Sequence, residues 1–423
     1  MTLPPVAASL VPPMDESGLT GRAHRAVALM AVAVVALAAA AGIYLRSTAR
    51  PPAIPPRTTV SSLDWLSAKV GWVVVVDGEQ RSVLYHTVDG GRHWSRQFAT
   101  VDSGVAVRFL DATQGLMTEP TPFPGPNPTL LRTEDGGDHW TTVSMASDVG
   151  ANPNLPFFFD LLHGWVMVRT GRSDTTEDAV IFRTDDGGLD WTVAASVDPI
   201  SWTSHGLEEE GLKRWLSFRT LSDGLLGTLE PNGSPAVYVT HDGGADWALV
   251  PLPPPPGGWA AGDTLTLLPP TMSLEGDGAM MVVDMSRQGG RPRVGRPPNL
   301  GLPAVIVYHT RDGGDTWDAP EYAPAGVDVN LADPVFTAGA AFVSGTAGWL
   351  MGGGSAFVTS DSGRTWSRRG QLPSGRSFHE LAPVDESVAV GAATEGQGPG
   401  ARWALFLTED AGRTWREVPS PPR

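Results

Sequence analysis

The sequence contains no cysteine, which excludes disulfides, zinc–thiolate sites, iron–sulfur clusters and a cysteine nucleophile. Lysine is nearly missing as well: Lys69 and Lys213 are the only two among 30 basic residues. There are five tyrosines, so chemistry that needs a tyrosine has few candidates. Positive charge is in deficit, and a formal net charge of −16 argues against general nucleic-acid binding, because like charges repel the phosphate backbone. What is abundant is turn chemistry. The 423 residues include 50 Gly and 38 Pro without a Gly-X-Y period, so collagen is excluded and many short strands joined by tight turns are expected. A hydrophobic content of 41% is that of a folded protein.

Residues 26–45 form an uninterrupted apolar run. At about 1.5 Å per residue, a helix of this length spans roughly 30 Å, the thickness of a hydrocarbon core. The expectation is a short cytoplasmic leader (1–25), a single-pass signal-anchor helix (26–45), and a Pro-rich linker (46–56) holding Pro51, Pro52, Pro55 and Pro56. The rest of the chain would then lie on the extracytoplasmic side of the cell membrane. Cleavage near Ser47-Thr48-Ala49, giving a secreted protein, is the rival reading.

Seven copies of one eight-residue motif organise residues 57–423. Thr, Asp, Gly and Trp hold positions 1, 3, 5 and 8 in every copy, beginning at Thr87, Thr133, Thr184, Thr240, Thr310, Thr359 and Thr408. The Asp, Gly and Trp of the copies are Asp89, Gly91 and Trp94; Asp135, Gly137 and Trp140; Asp186, Gly188 and Trp191; and Asp242, Gly244 and Trp247. The last three copies carry Asp312, Gly314 and Trp317; Asp361, Gly363 and Trp366; and Asp410, Gly412 and Trp415. Asp followed by Gly is a hairpin signal. The carboxylate can accept backbone N–H bonds across its own turn, and Gly admits positive φ. The seven Asp are therefore expected to fold the chain rather than to catalyse. Each copy follows a β-rich run, with two further runs upstream, some opening on Gly-Trp at residues 71–72, 164–165 and 348–349. Four strands per repeat, repeated seven times, predict an all-β fold, a seven-bladed β-propeller with four-stranded blades, preceded by the transmembrane helix.

The motif resembles the Asp-box, or BNR, repeat of sialidases, sortilin-type receptors and photosystem II assembly factors. Seven boxes and the recurring Gly-Trp strand make the photosystem II stability/assembly factor family the best resemblance over residues 57–423. The resemblance implies a non-catalytic binding or assembly-chaperone propeller for a protein partner, such as a membrane-protein assembly intermediate, without a cofactor. Box turns keep one length, whereas insertions fall at 119–128, 170–178, 198–214, 251–263, 286–303 and 394–401. In a four-stranded blade these lie opposite the boxes, so that face is expected to bind the partner. Its most distinctive loop places Arg287, Arg291, Arg293 and Arg296 together in an acidic chain, suited to carboxylate or phosphate groups.

The alternatives are a sortilin-like receptor or an Asp-box glycoside hydrolase, sialidase-like or endo-glucanase-like. A sialidase resemblance implies an Arg-Ile-Pro entry motif and a Tyr–Glu nucleophile pair. The first is missing, and Tyr85, Tyr238 and Tyr308 share a strand phase that indicates packing. Other glycosidases use two carboxylates flanking the bond. Asp64, Asp111 and Asp160 on or near inner strands are the candidates, although no spacing selects a pair. The histidines show no metal-ligand spacing, and neither a phosphate loop nor a Gly-x-Ser-x-Gly elbow occurs.

Overall fold

Alternating apolar strands separated by Gly-rich turns fold in this chain into seven antiparallel sheets. The computed structural model describes residues 58–421, apart from 78, 80, 102–103, 120–128, 144–155, 173–176, 198–204, 260–261, 286–302, 325, 327–338, 373–375 and 396–401. The apolar run 26–45, the linker 46–56, and Arg287, Arg291, Arg293 and Arg296 lie outside the described residues. Among the described residues no helix is long and apolar enough to cross a membrane.

Blade 1 shows the plan. Its strands are Thr59–Trp65, Gly71–Val76, Ser82–Thr87 and Ser95–Thr100, paired in that order from the inside outwards. The inner strands of the other blades are Ala106–Phe109, Phe157–Phe158, Leu212–Phe218, Leu265–Leu267 with Thr271–Met272, Ala340–Phe342 and Arg376–Pro383. Blade 5 departs from four strands because its inner strand is broken in two, both pieces pairing with Gly278–Asp284. Second and third strands are buried on both faces, as in Gly71–Val76 and Ala304–Thr310. This explains their continuous runs of β-branched residues.

The core is not one mass but seven clusters, each filled from two adjacent blades. Trp72, Val74, Phe109 and Met117 join blades 1 and 2. The series continues around the ring until Val60, Trp65 and Val73 meet Val390, Leu405 and Val418 of blade 7. Every blade is built from one continuous stretch of chain, so among the described residues no strand is exchanged across the seam between blades 7 and 1. Side chains close it instead. Leu63 N donates to Glu380 Oε1 at 2.8 Å, Trp403 Nε1 to Thr58 Oγ1 at 3.0 Å, and Trp94 Nε1 to the Pro419 carbonyl at 2.7 Å. A chain without cysteine thus closes its ring by packing and hydrogen bonds alone.

Strand direction sorts the connections onto two faces. The turn from first to second strand is five residues long in every blade, and it lies at the same end as the Asp-boxes. The second-to-third loops and the blade-to-blade connections lie at the other end. There the loop from second to third strand ranges from two residues, Gly353 and Gly354, to the stretch between Asp284 and Ala304. These ends are called the box face and the variable face below.

Candidate functional site

The Asp-box is a small hydrogen-bonded cage, repeated seven times with almost no variation. The Thr hydroxyl donates to the box carboxylate at 2.7–3.0 Å. It also accepts the N–H of the position-5 Gly at 2.8–3.0 Å. The same carboxylate accepts the N–H of position 7 at 2.8–3.0 Å. Positions 4 and 5 both have positive φ in every box. Blades 6 and 7 place Ser362 (64°) and Ala411 (58°) where the others have Gly. Each box is clasped to its own blade by the position-4 N–H, which donates to the neighbouring turn, as in Gly136 N to the Thr113 carbonyl at 2.7 Å. The backbone N–H of His93, followed by its imidazole, holds Asp89 down at about 2, and His139 does the same for Asp135. All seven carboxylates are engaged in hydrogen bonds within their own turns.

The first-to-second turns carry a second repeat that is harder to see. Two residues after the end of the inner strand, a side-chain oxygen accepts two backbone N–H groups of its own turn. Asp111 Oδ1 takes those of Thr113 and Gln114 at 2.7 Å, and Asp160 Oδ1 those of Leu162 and His163 at 2.8 and 2.7 Å. Ser67, Thr220, Ser344 and Asp385 occupy the same position with the same pattern. Asp111 and Asp160 are therefore turn caps on the box face, not channel carboxylates, and they leave the list of catalytic candidates. The periodic signal was present: an inner-strand residue and the opening Gly of the second strand stand six positions apart, as in Phe109 and Gly115 or Phe218 and Gly224. A Cβ on Gly71 would fall 2.2 Å from the Trp65 ring, so Gly is what lets the ring lie over the backbone.

Asp64 is placed differently. It sits on the inner strand of blade 1, half-buried, and accepts the backbone N–H of Phe109 from the inner strand of blade 2. Desolvation raises its carboxyl to about 6, against the opposing pull of Arg108 and of the Phe109 N–H. On the other side of the same strand, buried Glu380 of blade 7 takes the Leu63 N–H. Further inner-strand ties run from Val107 N to Ser62 Oγ (3.3 Å), from Ser217 Oγ to the Pro270 carbonyl (3.2 Å) and from Thr271 Oγ1 to the Phe342 carbonyl (3.0 Å). The inner strands are thus joined by polar side chains, each satisfying backbone groups of the adjacent blade. Sequence reading picked out Asp64 but not Glu380, because a lone carboxylate in a strand carries no spacing signal.

On the variable face, the fully buried Lys213 donates its ammonium to the carbonyls of Glu208, Glu209 (3.2 Å), Glu210 (3.2 Å) and Gly211 (3.3 Å). The three carboxylates of that loop stay exposed while their backbone wraps the lysine. Among the described residues no group of His, Asp and Glu has the arrangement to hold a metal ion.

The sequence signature of the family described as Photosynthesis system II assembly factor YCF48 matches residues 50–209, which cover blades 1 to 3. The chain is an Asp-box propeller of the kind that resembles those factors. No curated protein matches it. Among solved structures, YCF48 bound to D1 peptide is 17% identical over 84% of this chain and 95% of that chain, with a TM-score of 0.48. YCF48 from Cyanidioschyzon merolae is 14% identical over 84% and 96%, with a TM-score of 0.48. The GH74 xyloglucanase from Xanthomonas campestris is 14% identical over 85% and 64%, with a TM-score of 0.37. At such identities the chemistry of those proteins does not transfer.

Proposed function

We infer that this Asp-box propeller of photosystem II assembly factor type is a non-catalytic protein-binding module. It is tethered to the cell membrane by residues 26–45 and works on the extracytoplasmic side, where it holds a protein partner such as a membrane-protein assembly intermediate. The observation that carries this reading is the division of labour between the faces. The box face keeps its turns at one length in all seven blades, while the variable face changes length from blade to blade. Binding residues favour variable loops on a rigid scaffold. The family match over residues 50–209 supports a protein as the partner class. The Arg287, Arg291, Arg293 and Arg296 loop belongs to the second-to-third connection of blade 5, and its guanidinium groups suit an acidic partner. Replacing these four Arg together should reduce co-purification of the partner from native membranes and leave the melting temperature unchanged. Undiminished capture would remove the loop from the reading.

One observation favours a second reading, a glycoside hydrolase. Asp64 is a half-buried inner-strand carboxylate raised to about 6, the range of a general acid. Turnover of aryl glycosides or polysaccharides by the full chain, abolished in Asp64→Asn, would establish the hydrolase and overturn the binding module.

A further inference from the structure

Nine large apolar side chains are exposed among the described residues, and seven of them sit in blade 3 or in the box-face turns of blades 4 and 5. They are Phe159, Leu161, Leu162, Leu189, Val193, Leu221 and Leu274, whereas Val88 and Val101 stand alone elsewhere. The fold does not require them. Leu161 and Leu221 hold the turn position that the other five blades fill with Ala68, Ala112, Glu275, Gly345 and Glu386. Leu189 stands at box position 6, where five other blades have Arg92, Asp138, Asp315, Arg364 and Arg413.

Leu274 is the clearest case. It occupies the capping position at which the six other blades place Ser67, Asp111, Asp160, Thr220, Ser344 and Asp385. Blade 5 forgoes the side-chain cap there and is closed by backbone bonds, Ser273 N to the Asp277 carbonyl at 2.7 Å and Gly276 N to the Ser273 carbonyl at 3.1 Å. The leucine in its place is 66% exposed. A polar residue that would stabilise the turn has been replaced by an apolar one that points to solvent.

The residues form an arc. Leu162 lies against the blade 3 box, since its carbonyl accepts Gly187 N at 2.8 Å. Arg219 of the Leu221 turn donates to the Leu274 carbonyl at 2.9 Å. His241 spans Asp223 and Asp315 at 2.9 and 3.0 Å, tying blade 4 to blade 5. The rim carries more carboxylates than cations: in the blade 3 turns Asp160 pairs with His163 at 2.9 Å and Asp185 accepts Arg183 Nε at 3.0 Å, while Asp186 and the exposed Asp190 add two further carboxylates. Apolar side chains exposed on the turns of three adjacent blades, interleaved with charged groups, mark an interaction site, and the sign of those charges selects the partner.

We propose that the box face of blades 3 to 5 docks a basic amphipathic peptide segment of another protein, with its apolar residues on the leucine arc and its Lys or Arg on the acidic rim. This surface is separate from the variable face, so each can fail without the other. The probe is a short peptide of alternating Leu and Lys carrying a fluorophore and a benzophenone, with a Ser/Lys peptide of equal charge as control. Both are titrated against the full chain in lipid nanodiscs of zwitterionic composition. The Leu/Lys peptide should bind more tightly than the control and crosslink to the turns of blades 3 to 5. The combined change Leu161→Ser, Leu221→Ser, Leu274→Ser should weaken it about ten-fold or more. Leu274→Ser alone, which supplies the neutral cap that Ser67 and Ser344 supply elsewhere, should weaken binding without lowering the melting temperature, which loss of fold cannot do. Unchanged affinity in the triple variant would overturn the proposal, as would adducts mapping elsewhere. Concentration-dependent self-association of the full chain, abolished by the triple change, would also overturn it by making a second copy the occupant.

Discussion

Asp64 offers a prediction whose sign depends on pH. Its carboxyl, raised from 3.8 to about 6, binds its proton more tightly in the folded chain than in the unfolded one. Folding therefore disfavours the charged form, so stability contributed by this group is full below pH 4 and declines as pH rises through 6. A two-unit rise corresponds to about 3 kcal/mol at neutral pH. Asp64 is only half-buried, so solvent screening offsets part of that, and about 1–2 kcal/mol is the expected net cost. Asp64→Asn removes the charge and keeps an oxygen for the Phe109 N–H. The variant should be more stable than the parent by that amount at pH 7.5 and indistinguishable from it at pH 3.5. With about 2.1 cal/mol/K of unfolding entropy per residue, the gain is a rise of about 2 °C in the melting temperature. Asp64→Ala, which leaves the N–H without its acceptor, should fall below Asp64→Asn by about 1–3 kcal/mol at both pH values. Differential scanning calorimetry of the full chain and both variants at the two pH values reads all of this. A stabilisation by Asn that is the same at pH 3.5 and 7.5 would refute the argument, because desolvation of a charge acts only where the charge exists.

Other predictions follow from the repeated turns. Ala411→Gly relieves a non-Gly residue held at φ 58° and should stabilise the ring by about 0.5–1 kcal/mol. Ser362→Gly should gain less, because it also removes the bond from Ser362 Oγ to the Gly345 carbonyl at 2.7 Å; chemical denaturation compares the two. Gly71→Ala places a Cβ 2.2 Å from a Trp65 ring atom and should destabilise by about 1–3 kcal/mol, read as a lowered denaturation midpoint. Asp135 is held at about 2, so its contribution is present above pH 3.8 and is lost as pH falls through 2. Asp135→Asn should flatten that part of the acid titration of stability, followed by tryptophan fluorescence.

Much of the fold was legible because its repeated parts are local. A box is eight consecutive residues whose Thr, Asp and Gly bond to one another, so its signature is written contiguously and seven times. The blade count and the strand order followed from it. The first-to-second turn was less legible, since Ser67, Asp111 and Thr220 perform one task with three residue types. That is why Asp111 and Asp160 read as spare carboxylates. The channel was hardest. Asp64 meets Phe109 from 45 positions away, and Glu380 meets Leu63 across the ring seam, 317 positions away. Such partners are set by ring closure and leave no periodic trace. The exposed leucines were invisible for a different reason: apolar residues in a strand-rich chain look like core until Leu274 is seen to stand in a capping position.

The account rests on the variable face as the site of partner capture. Photo-crosslinking from single positions on the full chain in its native membrane tests this most directly. Probes at Glu79, Asn232 and Gly354 sample the variable face, and probes at Lys69, Glu386 and Ser387 sample the box face away from blades 3 to 5. The account predicts protein adducts from the first set and none from the second. Adducts from the second set alone would contradict it.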